Sequence, residues 1–174
     1  MARKLGRTAE QRMAIIRNQA SELLWNGHIE TTVDRAKEVK SYTEKLITLA
    51  IKTYEDTVTV TKMVKKDRTN KDSEKIEVQF TNDGPKKLAA RRKLMASLRD
   101  LKPIKGGKEK KSEYKARTAE VKHPLVEKVF REYAPAYAKR VEAGKNGGYV
   151  RIFMLGARRG DGAEMARIEM VKAD

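Results

Sequence analysis

NGGYVRIFMLGARRGDGAEMARIEMV, residues Asn146 to Val171, carries the clearest structural pattern in the chain. Two runs with strand character, Tyr149 to Leu155 and Glu164 to Val171, flank a connection in which Gly156, Gly160 and Gly162 surround Arg158 and Arg159. Val150, Ile152 and Met154 share one face of the first run, and Ala166, Ile168 and Met170 share one face of the second. A period of two is the pattern of a strand with one buried face. The opposite face carries Arg151, Arg167 and Glu169. The segment therefore reads as a hairpin with an apolar underside and paired arginines at its tip. The tip glycines leave room for backbone N–H groups to approach an oxyanion; a hairpin loop that is merely basic is the plainer alternative.

Working outward from the hairpin, Thr8 with Gln11 three residues on forms a capping-box pattern. It opens a helix that places Met13, Ile16, Ala20, Leu23 and Leu24 at helical spacing, and Asn26-Gly27 closes it. A short strand, Ile29 to Thr32, leads into a second helix from Val33 to Lys52 with Ala36, Val39, Leu46 and Ala50 as its apolar stripe. The expected sheet is small and adds Ile29–Thr32 to the C-terminal hairpin, backed by the helices. Residues 55–83 alternate Val58 and Val60 with threonines, and Ile76, Val78 and Phe80 with polar residues. They read as a hairpin standing out from the body or as a flexible insertion. Pro85 starts a further helix with Leu88, Met95, Leu98 and Leu101 on one face. Residues 103–120 have almost nothing to bury and read as an unstructured basic loop. Pro124 opens another helix, with Val126, Val129, Phe130 and Tyr133 inward, that Pro135 should end or kink. The expected fold class is α+β in one domain, residues 1–174. It has an antiparallel or mixed sheet of about three strands, four or so helices and a protruding basic insertion.

Charge narrows the function. The chain of 174 residues carries a formal net charge of +16. Residues 84–123 hold 14 basic residues against 4 acidic ones, so one central segment supplies most of the excess. A localised excess of this size is the footprint of a polyanionic partner, nucleic acid before an anionic membrane surface. With no cysteine, disulfides and thiolate metal sites are excluded, and His28 and His123 alone make an unpromising zinc or haem site. No apolar run approaches the roughly 20 residues of a membrane span, and MARKLGRT lacks the apolar core of a secretory signal. The expectation is a soluble, cytoplasmic protein without a cofactor.

Three basic clusters are the candidate sites. Arg3, Lys4, Arg7 and Arg12, with Arg17 behind them, form an arm suited to a phosphate backbone. On the Pro85 helix Lys87 and Arg91 stand four apart, a repulsive spacing. With no acidic residue before Asp100, Arg91 and Arg92 are expected to be neutralised from outside. The third cluster is Arg158-Arg159, with Arg151 on the strand below. Trp25 reads as a core or interface anchor, and Tyr149 as a packed ring or a platform for a base. No phosphate-binding loop, dinucleotide glycine pattern or pair of carboxylates in an apolar setting supports catalysis.

Three strings together, RKLGRT at the start, HIETTVDRAKEVKSYTEKLITLA in the second quarter and NGGYVRI…LGARRGDGAEMARIEMV at the end, closely resemble the bacterial large-ribosomal-subunit protein seventeen family. The resemblance covers residues 2–54, about 84–102, and 122–171. It implies an α+β domain on 23S ribosomal RNA near the outer end of the nascent-peptide tunnel, beside other large-subunit proteins and without a catalytic role, small-molecule substrate or membrane. The family's RNA-facing positions match Arg3, Lys4, Arg7, Arg12, Arg91, Arg92, Arg151, Arg158 and Arg159. Residues 55–83 and 103–120 depart from the family pattern, so their contacts lie outside what the resemblance implies. A DNA-compacting protein is the competing reading that charge alone leaves open; an RNA-modifying enzyme is the third, and it lacks a site.

Overall fold

The computed structural model describes residues 4–65, 75–119 and 121–172. Its first helix, α1 (Ala9–Asn26), turns Ile16, Ala20, Leu23 and Leu24 inward. Gly27 adopts a left-handed φ of 81° and donates its N–H to the Leu23 carbonyl at 2.8 Å, which ends the helix. The expected capping box does not form. Thr8 and Gln11 are both exposed, water competes for their bonds, and the Thr8 side chain makes no capping hydrogen bond. β1 (His28–Thr32) follows at once, and α2 (Val33–Ile51) buries Val33, Ala36, Val39, Thr43, Leu46, Ile47 and Ala50. That wide stripe lets α2 pack against α1, the sheet and the C-terminal helices at the same time.

The sheet joins β1 to the C-terminal hairpin formed by β4 (Val150–Ala157) and β5 (Glu164–Met170), in the order β1-β5-β4. Both pairings are antiparallel, so the fold is α+β and the mixed-sheet alternative falls away. One row across the strands is Ile29, Ile168 and Ile152, facing the helices. The apolar underside expected of the hairpin is present except at its outer end. Val150, Ala166 and Ile168 are buried and Ile152 and Met170 pack against the core, but Met154 is 64% exposed, as are Phe153 and Leu155 on the opposite face. A bulge between Met154 and Gly156, with Gly156 at φ 88°, breaks the alternation there. Beyond it the hairpin runs past the helices that cover its base.

α3 (Pro85–Ser97) buries Ala90 and Leu94, and Leu98 follows on the same side. Of the face expected from sequence, Leu98 is buried and Met95 and Leu101 pack at the core's margin, while Leu88 is 37% exposed. Ala90 offers a small surface on which α3 can approach its neighbours closely. α4 (Lys111–Ala119) stands where composition predicts an unstructured loop, and it buries nothing. Local bonds hold it: the Lys110 N–H donates to the Glu113 carboxylate at 3.1 Å, and Arg117 pairs with Glu109 at 3.1 Å. After α5 (Pro124–Lys128) comes a π-helical turn, Val129–Tyr133, and then α6 (Ala134–Glu142). Pro135 thus neither ends nor truncates the helical run. The widened turn before it accommodates a residue with no N–H to donate.

β2 (Thr57–Lys65) and β3 (Lys75–Asp83) pair antiparallel from Thr57 opposite Asp83 to Lys65 opposite Lys75. Of the polar turn expected from Lys65 to Glu74, Lys65 ends β2 and residues 66–74 lie outside the described residues. At the ribbon's foot the Asp56 carboxylate accepts the Lys86 and Lys87 N–H groups at 2.7 and 3.2 Å, capping α3. Gly84 is required there, because a Cβ would lie 2.4 Å from the Asp56 side chain. The opposite end of the core is aromatic. Tyr137 stacks near Tyr133 and Tyr149, and its hydroxyl donates to the Val171 carbonyl at 2.6 Å. Tyr133 donates to the Leu24 carbonyl at 2.9 Å, tying the C-terminal helices to α1.

Candidate nucleic-acid interface

The basic arm begins with a tight turn. Leu5 and Gly6 have φ of 54° and 62°, and the Arg7 N–H donates to the Lys4 carbonyl at 3.2 Å. A left-handed leucine costs roughly 1–2 kcal/mol, and the conformation leaves Lys4 and Arg7 exposed on one short loop. Arg12 is half-buried on α1. Arg17, one turn further, is half-buried with an Nε that lacks a hydrogen-bond partner. Arg3 lies outside the described residues.

On α3 the expectation of external neutralisation fails for Arg91. Its guanidinium donates to Asp83 and to Glu127, and its charge lies 5.2 Å from the centre of the Phe130 ring. Lys87 pairs with Asp83 at 3.3 Å, so the repulsive spacing is relieved from within the protein. Partial burial pushes the Asp83 carboxyl up, but the bonds and charges of Arg91 and Lys87 outweigh it and hold the pKa below the usual value. Burial likewise acts to lower the Arg91 pKa, and Asp83 and Glu127 more than reverse it. Asp83 was detectable in the sequence as the i, i+4 partner of Lys87, just outside the basic segment. Glu127, 36 residues further along the chain from Arg91, gave no such signal. On the outward side of the same helix Lys86, Arg92 and Lys93 are exposed. None of the three has an ion-pair partner among the described residues.

The hairpin tip is closed on itself. Arg158 makes two bonds to the Asp161 carboxylate, at 2.5 and 2.6 Å, and Asp161 also accepts the Ala163 N–H at 3.2 Å. Arg158, then the Ala163 N–H, hold the Asp161 carboxyl well below the ordinary carboxylate range. The Arg158 and Gly162 N–H groups are also used inside the turn. Those two N–H groups and that of Ala163 are thus spent within the turn, and the tip presents side-chain cations beside them. Arg159 is exposed and has no ion-pair partner among the described residues. Arg151 is exposed on the outer sheet face, in register with Glu169. That carboxylate lies 2.7 Å from Arg167 Nε, near enough to pair.

Two aromatic questions resolve simply. Tyr149 is 3% exposed and packs against Tyr137 with ring centres 4.9 Å apart, so it offers no platform to a base. Trp25 packs at the core's margin beneath Lys128, whose ammonium donates to the Trp25 carbonyl at 2.8 Å. His123 sits 3.7 Å from Asp100 on the surface. Among the described residues no group of three histidine, aspartate or glutamate side chains is placed to hold a metal ion. Among them also, no helix is long and apolar enough to cross a membrane.

A small, strongly basic α+β fold that presents exposed cations on an arm, one helix and a hairpin tip is built like the structural proteins of the ribosome. The comparisons agree. The family model described as Ribosomal protein L17 matches residues 15–171. The large ribosomal subunit protein bL17 of Lachnospira eligens is 39% identical, over 97% of this chain and 98% of the relative. Those of Streptococcus mutans and Lactiplantibacillus plantarum are 37% and 36% identical, over 97% of this chain and 98% and 97% of theirs. The chain belongs to the ribosomal protein L17 family. It is a structural constituent of the large subunit of the cytoplasmic ribosome and takes part in translation.

Proposed function

We propose that the protein binds 23S ribosomal RNA through phosphate contacts and supports large-subunit architecture near the peptide exit region, performing no catalysis. The observation that carries the reading is the division of labour on α3. Arg91 is held inward by two carboxylates, while Lys86, Arg92 and Lys93 are exposed with no ion-pair partner among the described residues. Exposed cations left without a carboxylate suit a phosphate backbone, which neutralises them from outside. The proposed RNA-facing set is Arg3, Lys4, Arg7, Arg12, Arg92, Arg151, Arg158 and Arg159, with Arg91 orienting α3 from behind. Arg158 has a double role, since it also closes the hairpin turn. Contacts of this kind read RNA by shape and backbone rather than by base. The exit-region location rests on family resemblance, as does contact with neighbouring large-subunit proteins. Sedimentation of a lysate tests the reading: the protein should co-migrate with large subunits and leave them only after a high-salt wash. Migration with nucleoid DNA and absence from subunits would contradict it.

A further inference from the structure

The ribbon of β2 and β3 has two unlike faces. In the observed register Val58, Val60, Val64, Ile76, Val78 and Phe80 share one face, interrupted by Lys62 and Asn82. The other face carries Thr57, Thr59, Thr61, Thr81, Gln79 and Glu77, with Met63 among them. The apolar face is bare: Val58, Ile76, Val78 and Phe80 are each between 36% and 47% exposed. The ribbon's one notable attachment is at its foot, where Asp56, Asp83 and Gly84 meet α3. A two-stranded hairpin alone in water is marginal at best. An alternating apolar face kept on such a hairpin marks a surface that another molecule covers.

We infer that this face docks onto an apolar strip of a neighbouring protein of the large subunit; the inference rests on the ribosomal reading above. Charge selects the class of partner. Residues 57–83 carry 6 basic residues against 5 acidic ones, whereas residues 84–123 carry 14 against 4. The apolar face itself holds a single charge, Lys62. Phosphate has little to bind there, and burying this face against RNA would strip water from the backbone anions without compensation. A second copy of this chain is disfavoured, since each brings a net charge of +16. An apolar protein surface meets neither objection.

A benzophenone amino acid replacing Val78 in large subunits purified with this chain tests the inference. Irradiation should join the chain to one identified large-subunit protein. Phe80→Asp should lower that yield about tenfold, the effect of roughly 1.4 kcal/mol, while the chain still sediments with the subunit. Thr61→Asp, on the polar face, should leave the yield unchanged. Crosslinking to RNA, to a second copy or to nothing in subunits that contain the chain would overturn the inference and leave the ribosomal reading standing. Equal loss with Thr61→Asp would overturn it too, by removing the distinction between the faces. Failure of the unmodified chain to sediment with subunits would instead remove the reading on which the inference depends.

Discussion

Asp83 shows how far a single residue can redirect the account of a basic surface. It joins Lys87 and Arg91 in one partly buried cluster, and Glu127 completes it. Asp83→Asn should destabilise the protein by about 1–2 kcal/mol at neutral pH, the scale of a charge-assisted hydrogen bond, as read from denaturant melts. Because the folded-state pKa of Asp83 lies below the unfolded one, the cluster stabilises fully above an unfolded value of about 3.9. That contribution fades as the pH falls through the folded value, so the variant should lose less stability than the parent on acidification. The tyrosines behave oppositely. Burial, before the nearby charges, pushes the Tyr133 and Tyr137 hydroxyls up to about 12. Their contribution holds below the unfolded value near 10 and is lost as the pH climbs towards 12. In an alkaline absorbance titration the Tyr133→Phe, Tyr137→Phe double variant should lack the part of the signal that appears as the pH climbs towards 12; an unchanged signal in that range would show their hydroxyls are not held as described.

At the scale of elements, what was legible was whatever local pattern dictates. The stripe of α2 and the Gly27 stop on α1 follow from neighbours within a turn, and the strand runs of the hairpin follow from period two. The β4–β5 hairpin follows that alternation until Met154. Alternation reports a face, whereas burial needs a helix to cover it, and none covers Met154. On α3 the expected face holds at Met95, Leu98 and Leu101, while Leu88 lies outward and Glu127 and Phe130, remote in sequence, hold Arg91 inward. Pro135 marked the right place, but a π-turn replaced the expected break. The basic segment around α4 tests how local stability can be. Pro103 and Val121 border one cleft, and α4 buries no side chain. Replacing residues 104–119 with a short glycine linker should therefore leave the melting temperature within about 2 °C, a change worth well under 1 kcal/mol. A larger fall would show that the segment is packed.

For the whole molecule, the surface is organised by which charges are already spent. Arg91, Lys87, Arg117, Arg131, Arg158 and Arg167 each have a carboxylate at hand. Among the described residues, exposed cations with no ion-pair partner include Lys4 and Arg7 on the arm, Lys86, Arg92 and Lys93 on α3 and Arg159 at the hairpin tip, so α3 carries more of them than the tip. Binding of the purified protein to 23S ribosomal RNA across a salt series tests this most directly. Each neutralised phosphate should contribute a log–log slope of roughly 0.7–0.9. Arg92→Ala and Arg159→Ala together should weaken binding and make that slope shallower by about 1.4–1.8. Affinity that is insensitive to salt, or a slope that the double substitution leaves unchanged, would contradict the account.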